Sequence, residues 1–227
     1  MWQLILMVVI GYFVGSVNFS ILVTKYIGKL DIRKVGSGNA GGTNVVRAMG
    51  AGWGIAVIAS EILKGVIVGG IARYFFPGDV FALGPLGGKI VGAIVVFGVL
   101  MGNIYPCFHG FRGGKGVSVC AAAMAVIDFR VFLVVLAVFF IFFLTSCMVS
   151  LGSIMGALSA PISVFLLYSD VFGGFRNATP YWYILCGITA VLAAVLIIRH
   201  RSNISRILHG TENRFDLWKK HPRNNCK

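Results

Sequence analysis

The residues best suited to chemistry lie in one glycine-rich stretch, Val35 to Gly50, VGSGNAGGTNVVRAMG. Gly36, Gly38, Gly41 and Gly42 fall within seven residues; Ser37, Asn39, Thr43 and Asn44 lie among and after them, and Arg47 follows three residues later. Glycine lets the backbone take positive φ and turn its N–H groups toward an anion. Ser, Thr and Asn add side-chain donors, and Arg adds a planar fork matched to phosphate oxygens. The pattern predicts a phosphate-holding loop. The plainer alternative is a flexible linker, but linkers seldom carry two Asn, a Thr and an Arg so closely spaced. Two better-known phosphate motifs do not fit. Gly36, Gly38 and Gly41 match G-x-G-x-x-G, but the preceding DIRKV is too short and too charged for the strand of a dinucleotide fold. The P-loop pattern runs from Gly36 to Thr43 with Gly42 where the lysine belongs.

A second loop, His109 to Gly116, reads HGFRGGKG. Gly113, Gly114 and Gly116 surround Lys115, with Arg112 just before, which again suggests an anion site. Near the C-terminus, RHRSNISRILHGTENRF reads as a basic helix in which His200, Asn203 and Arg206 recur every three residues and share a face. Glu61 and Lys64 stand inside an apolar run, where each charge costs about 2.5–3.5 kcal/mol. Three residues apart on a helix, they can pair. Two readings stay open for them: an ion pair that locks two helices, or a buttress behind the site.

These residues need elements to hold them, and the composition says which. The 227 residues are 58% hydrophobic and 12% charged, and the mean hydropathy is +0.89. A spanning helix needs roughly 20 apolar residues. Seven apolar runs answer to that: Leu4–Val23, Gly52–Phe75, Leu86–Cys107, the short Val117–Phe129, Val131–Val149, Ile154–Tyr168 and Tyr181–Ile198. They leave short connections and no room for a soluble domain, so residues 1–227 are expected to form a single polytopic membrane domain of all-α class. Gly11, Gly15 and Ser16, and then Gly88, Gly92, Gly98 and Gly102, are small faces on which helices can approach closely. Asn18 is expected to join helices. Phe139, Phe140, Phe142 and Phe143 are expected to face lipid or pack against neighbours. Ser150–Ser153 (SLGS) is expected to break the chain, Pro161 to kink the sixth span, and 170–180 to be a loop. The five cysteines have no C-x-x-C spacing and mostly lie in apolar runs, which predicts buried thiols with no disulfide framework or metal site.

Of the 20 Lys and Arg residues, fifteen fall on the side of the glycine loops (33–50 and 108–116) and the C-terminal segment (199–227). Four (Arg73, Lys89, Arg130 and Arg176) fall on the other side, and Lys64 lies within a span. The positive-inside rule puts the fifteen in the cytoplasm, so seven spans place the N-terminus outside and the C-terminus inside. All three phosphate-like segments then share the cytoplasmic face. The net charge of +13 also suits attraction to anionic lipid headgroups. Nucleic acid is not an expected partner, because the basic residues border spans and no soluble reading domain exists.

GSGNAGGTNVVRAMG, YPCFHGFRGGKGVS and RHRSNISRILHGTENRF, in that order, resemble the three signature regions of the bacterial acyl-phosphate:glycerol-3-phosphate acyltransferases, the PlsY family. The similarity covers nearly the whole chain. It implies a seven-helix enzyme of the bacterial inner membrane that moves a fatty acyl group from acyl phosphate to the 1-hydroxyl of sn-glycerol 3-phosphate. The products would be lysophosphatidic acid and phosphate, feeding phospholipid synthesis, with no cofactor. The expected partners are the two substrates, membrane lipid and the soluble enzyme that makes acyl phosphate. By position, Ser37, Arg47, Lys115, His200 and Asn203 match the catalytic set, the Gly38–Asn44 backbone matches the phosphate loop, and Glu212 matches the acidic residue of the third region. Gly38, Asn39, Gly41, Thr43, Asn44, Arg112, Gly113, Gly114, Arg206 and Glu212 are the expected substrate contacts. The chain departs from the family's usual pattern at Asn103 (His), Glu61 (Asp) and Gly42 (Ala), so no direct chemical role is carried over to Asn103 or Glu61.

On this reading Lys115, Arg47 and the loop N–H groups hold two phosphates, and Asn203 and Ser37 orient the hydroxyl or stabilise the oxyanion. The proton acceptor is His200 or the departing phosphate. An acylated Ser37 is less favoured, since no base is visible beside it. Two rival classes remain. A small anion transporter would suit Glu61 and Lys64, but it needs polar groups reaching both faces. A thioester-dependent acyltransferase would carry HxxxxD, which no histidine here begins.

Overall fold

In hydrocarbon every backbone N–H and C=O needs a partner inside the protein, which leaves helices as the way to fold a chain this apolar. A computed structural model of the chain describes residues 2–76, 84–169 and 181–215. Within them lie α1 (Trp2–Ser16), α2 (Phe19–Tyr26), α3 (Gly42–Met49), α4 (Ala51–Phe75), α5 (Gly87–Ile104), α6 (Val117–Ile127), α7 (Phe129–Ser146), α8 (Val149–Tyr168), α9 (Trp182–Arg199) and α10 (Arg201–Leu208). No strand occurs among the described residues.

Six segments are long and apolar enough to cross a membrane: Trp2–Tyr26, Ala51–Phe75, Gly84–His109, Phe129–Ser146, Val149–Tyr168 and Trp182–Arg199. The expected fourth span, α6, has 11 residues. At 1.5 Å per residue that is about 16 Å, half a hydrocarbon core. Val119, Ala122, Ala123, Met124 and Ile127 of α6 are all buried, so α6 is the inner post of the bundle, packed on α4, α5 and α7. The small faces act as expected. A Cβ on Gly15 would strike the Val99 carbonyl, and one on Gly102 the Tyr12 carbonyl, so α1 and α5 lie backbone to backbone.

Three expectations need correction. The first span breaks at Val17–Asn18, and Asn18, expected to join helices, instead caps α2, its Oδ1 accepting from Ile21 N at 3.1 Å. The SLGS segment is helical. Ser153 bonds its own preceding turn (Oγ to Val149 O, 2.8 Å), and the break falls earlier, at Cys147, whose φ of 58° ends α7. Small polar residues do not interrupt a helix when their hydroxyls find acceptors; a left-handed residue does. Helix α8 continues past Pro161 to Tyr168. The expected loop at 170–180 and the tail from 216 onward lie outside the described residues.

The break in the first span leaves backbone groups without helical partners, and the buried charges of α4 serve them. Lys64 Nζ donates to Val17 O (2.8 Å) and Gly15 O (3.4 Å). Glu61 accepts from Phe19 N (2.8 Å) on one oxygen; the other lies 2.6 Å from Lys64 Nζ and accepts from Asn103 Nδ2 (2.8 Å). Both side chains are buried. Removing one partner of such a pair leaves an uncompensated charge, typically a loss of about 3–5 kcal/mol. Lys64→Met is therefore expected to lower the unfolding midpoint in detergent strongly. Glu61→Gln combined with Lys64→Met should recover part of the loss, and an unchanged midpoint for the single variant would refute the role given to the pair.

Candidate functional site

The first glycine loop is built around Asn44. Its Nδ2 donates to the carbonyls of Ile32 (3.1 Å), Val35 (2.8 Å) and Asn39 (3.1 Å), and its Oδ1 accepts from Ser37 N (3.1 Å). Gly36 is left-handed at φ 58°, and a Cβ there would strike Asn44 Oδ1. Asn44, expected to touch substrate, is thus a positioning residue whose polar atoms are all engaged by the loop. What the loop offers outward is the start of α3. Among the described residues no backbone carbonyl accepts the N–H of Gly42 or Thr43, and the hydroxyl of Ser37 makes no protein bond. Free N–H groups at a helix N-terminus suit an anion.

The second loop works differently from expectation. Gly113 N and Gly114 N donate inward, to Ile104 O and Asn103 O (both 3.1 Å), so these glycines do not cradle an anion. Gly114 instead lets the two loops touch: a Cβ there would lie 2.6 Å from Ala40 O. The loop contributes Lys115, which donates to Asn203 Oδ1. Arg112 is exposed, and neither it nor Gly113 or Gly38 lines the cavity described below.

The third segment supplies His200 at the joint of α9 and α10, with Asn203 and Arg206 on α10. His200 is buried and its Nδ1 lies 2.8 Å from Leu196 O, an atom that only accepts, so Nδ1 carries the proton and Nε2 is left as an acceptor. Burial, reinforced by Lys115, pushes the His200 pKa down to about 4, and the ring is neutral at ordinary pH. Glu212 is the hub. It accepts from Ser150 Oγ, from Asn203 Nδ2 (2.7 Å) and from Arg206 Nε (2.8 Å). Burial opposes its charge, yet these donors hold its carboxyl below the usual range. Glu212 therefore fixes Asn203 and Arg206 and presents no free oxygen pair to a phosphate.

Ser37, Asn39, Gly41, Thr43, Asn44, Arg47, Gly114, Lys115, His200, Asn203, Arg206 and Glu212 all line one cavity of about 680 Å³. Its polar end holds three cations (Arg47, Lys115 and Arg206) against Glu212. Burial lowers the pKa of Lys115 to about 8, Glu212 partly restoring it, and burial also lowers that of Arg47. From this end an apolar trench runs between helices, past Cys120 and Met124 of α6, Phe132, Phe139, Phe140 and Phe143 of α7, Ala157 and Ala160 of α8, and Leu192 of α9. Phe139, Phe140 and Phe143 pack ring against ring, as expected, with Phe140 exposed, and they also serve as trench wall, a use that composition did not reveal. The other element sequence reasoning missed is Phe215. Its N–H donates to Cys147 O (2.8 Å), its ring meets Phe143 edge-on at 6.1 Å, and Arg47 lies 5.1 Å over it. An aromatic just past the basic helix was its only visible signal. No group of three His, Cys, Asp or Glu able to hold a metal occurs among the described residues.

A family model described as glycerol-3-phosphate acyltransferase matches residues 5–210. A curated relative from Shouchella clausii named glycerol-3-phosphate acyltransferase is 36% identical over 220 residues, covering 96% of this chain and 98% of that protein. One of the same name from Thermoanaerobacter pseudethanolicus is 36% identical over 210 residues, covering 92% and 94%. Among solved structures, PlsY, an integral membrane glycerol 3-phosphate acyltransferase, is similar in its glycerol 3-phosphate form. The TM-score is 0.79 at 32% identity, over 94% of this chain and 96% of that one. The lysophosphatidic acid form gives 0.77 at 32% identity, over 94% and 95%.

Asn44→Asp would set an acceptor where three carbonyls now receive a donor. Each buried group left unpaired costs about 1–3 kcal/mol. Amide exchange across residues 35–43 should therefore quicken about 10–100-fold while α5 and α6 keep wild-type protection. Unchanged exchange in the loop would refute Asn44 as its organiser.

Proposed function

The chain belongs to the glycerol-3-phosphate acyltransferase family, and we propose that it transfers a fatty acyl group from acyl phosphate to the 1-hydroxyl of sn-glycerol 3-phosphate, releasing lysophosphatidic acid and phosphate. The observation that carries this reading is a single cavity with a cationic, N–H-lined end joined to an apolar trench. Both substrates bring phosphate and one brings a long chain. A transporter reading is disfavoured because the polar groups gather at one end of that cavity.

The hydroxyl oxygen attacks the acyl carbonyl carbon, the new C–O bond forms, and the bond from that carbon to the phosphate oxygen breaks. The donor is already an activated mixed anhydride, so positioning and charge neutralisation supply the catalysis. Arg47, Lys115, Arg206 and the N–H groups of Gly42 and Thr43 hold the two phosphates. Ser37 and Asn203 orient the hydroxyl and meet the developing oxyanion. A histidine held neutral down to about pH 4 is a weak base, so His200 Nε2 orients the hydroxyl. The proton passes to the departing phosphate, whose newly freed oxyanion is a stronger acceptor than a histidine held at about 4. Residues 1–227 form one membrane domain. Six long segments and α6 together make seven crossings, with α6 completed by its flanking loops, the N-terminus outside and the C-terminus in the cytoplasm of a bacterial inner membrane.

Purified protein given glycerol 3-phosphate and palmitoyl phosphate should release phosphate and form lysophosphatidic acid, while palmitoyl-CoA should support no turnover. Acylation from palmitoyl-CoA alone would overturn the donor assignment. The pH profile of kcat/KM gives a second check. Below about pH 8 Lys115 is charged, and above it the cation is lost, so kcat/KM should fall as pH rises through about 8. In Lys115→Arg that alkaline limb should move upward, at the cost of a lower maximum, and His200 should impose no acid limb above pH 5. A limb that stays near 8 in the Arg variant would assign it to another group.

A further inference from the structure

A second cavity, of about 380 Å³, shares no lining residue with the first. It lies under the end of α2, walled by Lys25, Lys29, Asp31, Arg33 and His109 over an apolar floor that includes Ile21. Its one carboxylate is already occupied. Arg33 Nε and Nη2 donate to the two oxygens of Asp31 at 2.9 and 3.0 Å, while Arg33 Nη1 donates to His109 O at 2.9 Å. Among the described residues neither Lys25 nor Lys29 has a carboxylate within ion-pair distance. Both lysines are exposed; Lys25 Nζ lies 5.4 Å over the Tyr26 ring, and the two ammonium groups line the cavity with no carboxylate partner among the described residues.

The backbone places one of them against its own preference. Lys29 is left-handed, at φ 53°, a position usually taken by glycine or asparagine at a helix end. Gly28 beside it is not free to take that place with another residue, since a Cβ there would lie 2.8 Å from Met49 Sδ. A side chain held where L residues rarely go invites a functional reason. Around the cavity Tyr26, Ile27 and Phe108 are exposed, at the end of the first apolar segment, where acyl chains give way to headgroups. Its wall also belongs to the reaction cavity's scaffold. Asp31 caps the 3-10 turn Ile32–Lys34, and the Ile32 carbonyl of that turn is held by Asn44, the organiser of the phosphate loop.

We infer that this cavity is a second phosphate-ester site, separate from the reacting one and coupled to it through residues 31–34. The chemistry it recognises is a phosphate monoester or diester, presented by the headgroup of an anionic glycerolipid or free in solution. Occupancy holds the turn against the glycine loop and raises the fraction of protein with that loop formed.

The test uses the full-length protein in phosphatidylcholine nanodiscs, with and without one-fifth phosphatidic acid, and separately with millimolar methyl phosphate. Amide exchange of residues 28–34 and KM for glycerol 3-phosphate are read for wild type and for Lys25→Gln/Lys29→Gln. The expected result is several-fold protection of 28–34 and a several-fold lower KM with phosphatidic acid, both lost in the double variant, whose behaviour in plain phosphatidylcholine matches wild type. Protection by methyl phosphate alone, again lost in the variant, would assign the site to free phosphate esters. No protection by either, or equal protection in wild type and variant, would overturn the inference.

Discussion

The fold depends on keeping backbone polar groups paired inside a bundle with almost no water to help. The chain violates helical continuity once in its first apolar segment, at Val17–Asn18, and the buried pair of Glu61 and Lys64 makes that violation tolerable. Lys64 takes the carbonyls that the break exposes and Glu61 takes the N–H of Phe19. The break turns α2 so that Ile21 packs with Ile32, Ala40, Val45 and Val57 beneath the glycine loop. Glu61 also receives Asn103 Nδ2, and the Asn103 carbonyl receives the N–H of Gly114. One ion pair thus carries the placement of both loops. Elsewhere a buried pair can often be exchanged for apolar residues without loss. Here the charges also serve main-chain atoms, and an apolar substitute would leave those atoms unpaired.

Much of the site was legible because its parts are locally encoded. Glycine spacing marked the first loop, Lys115 was flagged by its glycines, and three-residue spacing put His200, Asn203 and Arg206 together. What was not legible was which polar atoms face inward. Asn44 and Ser37 are neighbours in composition, yet one is consumed by the loop and the other points outward, and that depends on three carbonyls brought from Ile32, Val35 and Asn39. The second loop's glycines looked like anion donors and are close-packing devices. The SLGS segment looked like a break because serine and glycine are common in breaks; its tertiary partner Glu212 lies 62 residues from Ser150. Helix α6 was placed well, expected at Val117–Phe129 and found at Val117–Ile127, its shortness compensated by burial on several sides. The long first run was read less well, because nothing in its apolar composition marked the break at Val17–Asn18.

Two lysines show how the same residue type separates into structure and chemistry. Lys64 is buried against a carboxylate, so its charge is answered within the protein. Lys115 is half-buried against the neutral amide oxygen of Asn203, and the nearby carboxylate of Glu212 is taken by Ser150, Asn203 and Arg206. An ammonium desolvated without an adjacent counter-ion has its pKa lowered and gains most from an incoming anion. Glu212 makes sense in a phosphate-seeking cavity for the same reason. Its own charge is screened by three donors, and through them it holds an amide and a guanidinium at fixed angles.

The apolar trench bears on rate as well as affinity. Along α8 its lining runs from Val149 to Ala160, about 16 Å at helical rise. Burying a chain recovers about 0.8 kcal/mol per methylene, so ten methylenes offer roughly 8 kcal/mol. If that energy were felt equally by the ground state and the transition state it would lower KM without raising kcat. Because the tail is gripped far from the reacting carbon, the trench can instead hold the proposed anhydride at the junction, where Lys115, Arg47 and the N-terminus of α3 meet charge that grows as the phosphate departs. Binding supplied by the tail leaves the polar end free to be tighter on the transition state than on either substrate, which is the condition for catalysis by a site whose histidine is a weak base.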